Sequence, residues 1–411
     1  MNVRKLAISR ERFLTRLDAI NSIGRLADGS CCRLALTDAD REARDLVVSW
    51  MQELGLEVRI DRIGNILGIR AGSQPGAPVM TGSHLDTVAT GGPYDGTLGV
   101  VAGLEAIAIL EEAGVATRRA LAIGVFTNEE GVRFQPDMMG SLVYAGGLAV
   151  EQALQAVAPD GAVLGDELNR IGYAGDMRCG EIRPQAYVEL HIEQGPILDQ
   201  EGKVLGAVED LQGISWQEVV VHGMANHAGT TPMRLRRDAG YCAARAAVFV
   251  RELAQRMGGT QVATVGALLL LPNLINVIAR QATFSVDLRN TDDRLLQSAE
   301  QHLADFLRDL AQAENVTIET RRLVRTEPVR FDQSVLKAIE SAVGDLGQPI
   351  RRMTSGAGHD AQMMARICPA AMIFVPSVAG VSHNPREFTA PEHLELGANA
   401  LLHTLERLAN E

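Results

Sequence analysis

The chain has 411 residues, of which 46% are hydrophobic and 22% charged, and its 51 acids against 39 bases give a formal net charge of -12. That length exceeds one ordinary core, so two domains are expected. The acidic balance disfavours phosphate backbones and anionic lipid, and the longest wholly apolar run, near Ala267 to Leu271, is too short to span a bilayer, so neither nucleic acid nor membrane is an expected partner.

The first stretch, MNVRKLAISRERFLTRLDAIN, has no apolar signal region, and five cysteines without framework spacing agree with a reducing, cytoplasmic setting. Adjacent Cys31 and Cys32 read as packed thiols. A helix is expected over Thr37 to Leu54, with Ala43, Leu46, Val47, Trp50, Met51 and Leu54 on one stripe, a cap at Thr37 or Asp38 and a stop at Gly55. Strands Leu56 to Ile60 and Asn65 to Ile69 follow, and the run at Pro78 to Met80 belongs to a buried strand ending at His84. The loop beyond it, within TGSHLDTVATGGPYDGTLG, holds His84, Asp86 and Asp95. Imidazole and carboxylate are typical zinc ligands, an aspartate can bridge two ions through its two oxygens, and Asp86 suits an orienting role. Taken alone, these residues fit equally well a Gly-rich turn with a surface histidine and solvated aspartates.

A small-residue helix, Thr97 to Glu112, leads to a buried parallel strand, Leu121 to Phe126, which ends in Thr127-Asn128-Glu129-Glu130-Gly131. Adjacent side chains leaving a strand point in different directions, so one glutamate can bind metal while the other handles protons; two solvated carboxylates are the alternative. Arg133, Phe134, Met138 and Met139 read as a pocket wall, Gly161 to Gly180 as irregular, and Ala186 to Leu190 as a strand delivering His191. From about Gln212 the pattern changes. Strand Trp216 to Val221, helix Asp238 to Met257, strands Ala263 to Leu271 and Val277 to Leu288, helix Asp292 to Ala313 and strand Val316 to Val324 describe an inserted α+β domain of the split βαβ, ferredoxin-like kind. His227, Asn276 and Arg289 are its polar groups at strand ends or loops. Past Glu327-Pro328 the first pattern resumes: helix Gln333 to Leu346, a Gly-rich loop Ser355 to Ala361, strand Ala370 to Val375, then Gly380 to Pro385 with His383. A last helix to Leu408 is signalled by Thr389, Pro391 and Glu392 as a capping box. The expected organisation is an α/β catalytic domain with a mixed, mostly parallel sheet over residues 1–211 and 328–411, interrupted by the insertion at 212–327.

In order, the segments GSHLDTV, GGPYDG, FTNEEG, ELHIEQGP, HAGTTPM, NVI, DLRN, SGAGHDA and SHNP resemble the dinuclear-zinc aminoacylase and carboxypeptidase superfamily, in its amidase, hydantoinase and carbamoylase branch, from about Thr37 onward. The resemblance implies two divalent ions per subunit, zinc or else manganese, cobalt or nickel. One would be held by His84, Asp95 and His191 and the other by Asp95, Glu130 and His383, with Asp95 as the bridge. It implies Glu129 as general base, Asp86 as the orienter of His84, and Gln194, His227, Asn276, Arg289 and the backbone at Gly358 as substrate contacts. It also implies a homodimer paired through the inserted domain, with His227, Asn276 and Arg289 reaching the neighbouring site. Peptidase branches mostly carry a carboxylate where this chain has His191, which favours the carbamoylase branch. An imidazole such as His227 suits a developing oxyanion, and a guanidinium such as Arg289 suits bidentate capture of a carboxylate. The expected substrate is an N-carbamoyl-L-amino acid or N-carbamoyl-β-alanine. Allantoate or ureidoglycolate comes next, and a dipeptidase, an aminoacylase or a non-catalytic binding protein are the remaining alternatives.

Overall fold

The computed structural model describes residues 6–411, which form two compact units: the chain up to Glu209 together with Phe331–Glu411, and Asp210–Arg330. The strands in chain order are β1 (Glu57–Ile60), β2 (Ile66–Arg70), β3 (Val79–His84), β4 (Leu121–Phe126), β5 (Ala186–Ile192), β6 (Gly206–Leu211), β7 (Gly213–His222), β8 (Val262–Thr264), β9 (Leu268–Leu271), β10 (Gln281–Asn290), β11 (Thr317–Thr326), β12 (Val329–Arg330), β13 (Arg351–Ser355) and β14 (Ala370–Val375). The second unit begins and ends on the β6 and β12 pair, where Asp210 faces Arg330 and Leu211 faces Val329, two or three residues outside the insertion read from the sequence.

The first sheet has the order β1-β2-β4-β3-β5-β14-β6-β12, with β13 added to β6. Its four central strands β4, β3, β5 and β14 are mutually parallel. Toward the edges, β1 with β2, β2 with β4, β14 with β6 and β6 with β12 pair antiparallel. The sheet is therefore mixed, and the expectation of a mostly parallel one holds only for its centre. Each central strand is buried along its whole length; β4 and β14 are unbroken apolar runs, as strands covered on both faces tend to be, while β3 and β5 bury polar residues such as His84, Glu189 and His191 as well. The helix Thr97–Glu112 is likewise buried from Thr97 to Leu110. Its one buried charge, Glu105, is met by Arg12 at 2.8 Å and Arg16 at 3.6 Å from the helix Arg10–Ser22. That first helix is not among the expected elements, because its buried stripe, Phe13, Leu17 and Ile20, is diluted by charges whose partners lie far along the chain.

Several local expectations change. Leu164–Ile171 is a helix inside the segment read as irregular; it buries Leu164, Leu168 and Ile171 on one face. The last helix, Pro391–Asn410, is preceded by Ala390 with no side-chain cap, and Thr389 instead donates its hydroxyl to the Pro376 carbonyl at 2.7 Å. The run Ala263 to Leu271 is two short strands, β8 and β9, each paired to a different part of β10.

The second unit's sheet is antiparallel in the order β11-β7-β10-β8, with β9 also on β10, and the helices Ala239–Met257 and Asp293–Ala313 supply the two crossovers. Both helices start on an aspartate whose carboxylate accepts two main-chain N–H bonds, Asp238 from Gly240 and Tyr241 and Asp292 from Arg294 and Leu295. Along β10, Ala282, Phe284, Val286 and Leu288 enter the core with Val219 and Val221, so the alternate residues, Arg289 among them, lie on the other face.

Candidate metal centre

The central strand order brings four widely separated segments to one edge of the sheet. His84 is the last residue of β3, Glu129 and Glu130 follow β4, His191 is the penultimate residue of β5, and His383 follows β14 beyond a short turn. Loops at the carboxyl ends of neighbouring parallel strands share one space, which is why open α/β sheets place their chemistry there. Asp95 enters from the loop after β3, just before the helix Thr97–Glu112. Gly96 between them has φ +67°, and a Cβ there would lie 2.4 Å from His84 Cε1, so only glycine lets this loop pass the imidazole.

Two groups of potential ligands share Asp95: His84, Asp95 and His191, and Asp95, Glu130 and His383. Asp95 Oδ1 lies 3.6 Å from His84 Nε2 and 3.2 Å from His191 Nε2, whereas Oδ2 lies 3.1 Å from His383 Nε2. Glu130 Oε2 is 3.5 Å from the same His383 nitrogen. Ligands about 2.0–2.2 Å from one tetrahedral ion stand roughly 3.3–3.6 Å apart, which the 3.6 and 3.5 Å spacings match, while the 3.2 and 3.1 Å spacings are also within hydrogen-bond reach. The ring bonding agrees. Nδ1 of His84 lies 2.9 Å from the Asp86 carbonyl and Nδ1 of His191 lies 2.8 Å from the Ile192 carbonyl, which makes each Nδ1 the N–H donor and leaves each Nε2 a bare lone pair. A lone pair aimed at carboxylate oxygens calls for a proton or a cation between them. The donor set and its spacing therefore fit divalent metal.

The field inside the cluster is strongly coupled. Burial pushes the Glu130 carboxyl up to about 8, reinforced by Asp95. Burial also holds Glu129 well above the usual carboxylate range, opposed by His84 and reinforced by Asp360, Glu130 and Asp95. Burial would raise Asp95 as well, but hydrogen bonding with His191, His383 and His84 draws it well below. His383 is raised to about 9 by its bond to Asp95, against the effect of burial.

Asp86 holds this site in a way the residue spacing did not reveal. Its main-chain carbonyl, not its carboxylate, orients His84; the carboxylate accepts from the N–H groups of Glu129 and Glu130, both at 3.1 Å. Glu129 Oε2 then lies 3.4 Å from His84 Nε2. A cavity of about 150 Å³ opens beside these groups and is also lined by Asp137, Met138, Gln194, Gly358 and His359. Gln194 faces the cluster itself, donating Nε2 to Asp95 Oδ2 at 2.8 Å. Arg133 and Phe134 are not pocket wall: Arg133 binds Glu167 at 2.8 Å and the Ala35 carbonyl at 3.0 Å, and Phe134 is fully buried. Met139 is buried in the helix Met139–Tyr144, which leaves Met138 as the methionine facing the cavity. Asp137, His359 and Glu387 were not singled out from sequence. His359 packs edge-on against His191 with ring centroids 4.5 Å apart, and burial holds its pKa well below the usual imidazole value.

The remaining expected contacts belong to the second unit. His227 pairs with Val277 in an isolated bridge, and the Ala228 N–H donates to the Asn276 carbonyl at 2.9 Å, so His227 and Asn276 share one end of that unit's sheet. The His227 ring accepts at Nδ1 from the N–H groups of Gly229 at 3.0 Å and Thr230 at 3.2 Å, leaving Nε2 as a donor on an exposed loop. Arg289 is at the other end of β10, opposite Ile214 and Val262, and its guanidinium meets Asp287 at 2.8 Å. It stands eight positions along β10 from Gln281, roughly 26 Å at about 3.3 Å per residue.

Residues 80–407 match peptidase family M20/M25/M40, and the chain belongs to that family. Similar proteins include amidohydrolases, and similar solved structures include amidases of the hydantoinase/carbamoylase family. The chain is 40% identical to the N-carbamoyl-L-amino acid amidohydrolase of Geobacillus stearothermophilus, over 98% of this chain and 99% of that one. It is 34% identical to the allantoate amidohydrolase of Bacillus subtilis (strain 168), over 100% of both chains. The crystal structure of an amidase of the hydantoinase/carbamoylase family from Burkholderia multivorans superposes with a TM-score of 0.96 at 42% identity, covering 99% of each chain.

Proposed function

We propose that the chain hydrolyses the ureido C–N bond of N-carbamoyl-L-amino acids or N-carbamoyl-β-alanine in the cytoplasm, giving the amino acid, ammonia and carbon dioxide. The observation that carries this reading is the split of the Asp95 carboxylate, one oxygen toward His84 and His191 and the other toward His383, with Glu129 beside it. His84, Asp95 and His191 would hold one divalent ion and Asp95, Glu130 and His383 the second; when bound, the pair acidifies the attacking water and polarises the ureido oxygen. Glu129 takes the water proton and returns it to the departing nitrogen, a task suited to a carboxylate that burial holds above its usual range. Asp86 keeps both glutamates in place through their N–H groups. Gln194 and the Gly358 backbone line the cavity and contact the ureido end of the substrate. His227 and Asn276 steady the developing oxyanion, and Arg289 receives the substrate carboxylate.

The second unit supports a homodimer. Its short edge strand β9 exposes Leu268 and Leu269, and the loop beyond exposes Leu274 and Ile275, an apolar edge that a lone monomer would leave in water. His227 and Arg289 sit at opposite ends of β10, too far apart to grip one substrate under about 10 Å long. Two copies would therefore share each site, one giving His227 and Asn276 and the other Arg289. The relative from Bacillus subtilis supports a second reading, allantoate hydrolysis, since allantoate also joins a ureido group to a carboxylate. Ammonia release by the manganese-, cobalt- or zinc-loaded protein decides: turnover of N-carbamoyl-L-amino acids above allantoate and ureidoglycolate supports the first reading, the reverse order the second, and no turnover of any of them sinks both.

A further inference from the structure

His383 differs from the other ligand histidines in how its position is fixed. His84 and His191 belong to strands and inherit the rigidity of the sheet, whereas His383 sits in the Gly380 to Pro385 loop with φ +53° and a half-exposed ring. What ties this loop to Asp95 is Glu387, whose side chain is only 3% exposed. Glu387 Oε1 accepts from the N–H groups of Tyr94 at 2.8 Å and Asp95 at 3.2 Å. Glu387 Oε2 accepts from the Ser382 hydroxyl at 2.9 Å, and that hydroxyl also lies 3.3 Å from Asp95 Oδ2. One carboxylate thus grips the main chain of the bridging aspartate on one side and the residue before His383 on the other. Gly92 leaves the room for it, since a Cβ there would lie 2.4 Å from Glu387 Oε1. With both oxygens committed to donors, Glu387 is not itself a ligand.

We propose that Glu387 is a positioning residue for the ion site of Asp95, Glu130 and His383: by clasping the Asp95 and Ser382 segments together it keeps Asp95 Oδ2 facing His383, and so sets the affinity of that ion without touching it. The proposal rests on the two-ion reading given above. The site of His84, Asp95 and His191 depends less on the clasp, because two of its ligands are held by strands. The hydrogen bonds carry the effect, so glutamine, which can still accept from the two N–H groups and turn its amide toward Ser382 Oγ, preserves most of it.

The test titrates manganese(II) into chelator-stripped full-length protein by calorimetry, with metal analysis after dialysis. Fewer than two ions on the unaltered protein overturns the two-ion reading, whatever the variants do. With two ions bound there, Glu387→Ala is expected to weaken one of them by about 10–100-fold and leave the other within about threefold, while Glu387→Gln recovers most of the loss. Equal affinities in Glu387→Ala and the unaltered protein, or equal weakening of both ions, overturns the proposal. Should Glu387→Ala fail to fold, Ser382→Ala removes only the loop side of the clasp: selective weakening of one ion supports the proposal, and two unchanged ions overturn it.

Discussion

Asp95 and His383, from opposite ends of the chain, meet at 3.1 Å between Oδ2 and Nε2, on the carboxylate oxygen that His84 and His191 do not face. Removing this imidazole takes one donor from the second ion group and none from the first. His383→Ala is therefore expected to lose close to one of two bound metals per subunit, with turnover falling alongside. Undiminished metal by elemental analysis would remove His383 from the ligand set.

Glu129 faces His84 Nε2 at 3.4 Å and is absent from both ion groups. Glu129→Gln keeps the shape and removes the proton affinity, so both metals should stay while kcat drops by about 10²–10⁴-fold. A metal-replete variant with near-normal turnover would show that another group accepts the proton.

Arg289 meets Asp287 on the partly buried face of β10 that lies away from the core, a contact that is also what a plain surface ion pair would make. If its fork captures the substrate carboxylate, Arg289→Lys should lower kcat/KM by at least about tenfold, since lysine keeps the charge but loses the bidentate geometry. Mixed dimers of inactive His227→Ala and Arg289→Ala subunits add a sharper measurement. With the two groups borrowed from different copies, half of the sites in a mixed dimer combine both defects and the other half have neither, so activity returns; proven mixed dimers without activity would mean that each site draws both groups from one copy.

Asp61 offers a pH test away from the metal groups. Burial pushes its carboxyl from 3.8 up to about 6, opposed by hydrogen bonds from Asn65 and Ile63. The folded state holds this proton more tightly than the unfolded one, so the contribution favours folding at low pH and is lost as pH rises from about 4 through 6. Asn cannot ionise. The stability difference between the unaltered protein and Asp61→Asn should therefore move in favour of the variant by about 2–4 kcal/mol between pH 4 and pH 7, whatever fixed cost the amide brings. Urea denaturation of chelator-stripped protein at both values measures it, and a pH-independent difference would place the Asp61 pKa near its ordinary value.

Where the chain's own local physics is strong, reading it in order was enough. Thr97–Glu112, Leu121–Phe126 and Ala370–Val375 have the bounds expected of them; the two strands are wholly apolar, with no polar residue to blur their ends, and the helix is a small-residue run closed by two exposed glutamates. The candidate ligands were visible too, since histidines and carboxylates directly after such strands are few and stand out, and the structure brings His84, Asp95, Glu130, His191 and His383 into two groups that share Asp95. Elements stabilised by distant partners were less legible. The helix Arg10–Ser22 needs the buried Glu105 of another helix, and Leu164–Ile171 needs an apolar surface that the sequence does not display.

The sequence by itself determined which side chains are available for chemistry, the family they belong to and the interruption of one α/β unit by another, because these follow from residue type, periodicity and order. Only the tertiary structure decided how they divide the work. Strand order β4-β3-β5-β14 is not written in any local pattern, yet it brings the ligand-bearing loops to one edge and gives each oxygen of Asp95 its own set of imidazoles. Asp86 meets His84 through its carbonyl and both glutamates through its carboxylate, Gln194 turned toward Asp95, and Glu387 joins the Asp95 and Ser382 segments. The physical reason is common to all three: a hydrogen bond depends on distances of a few tenths of an ångström between groups far apart in the chain, and residue spacing along a sequence carries no such information.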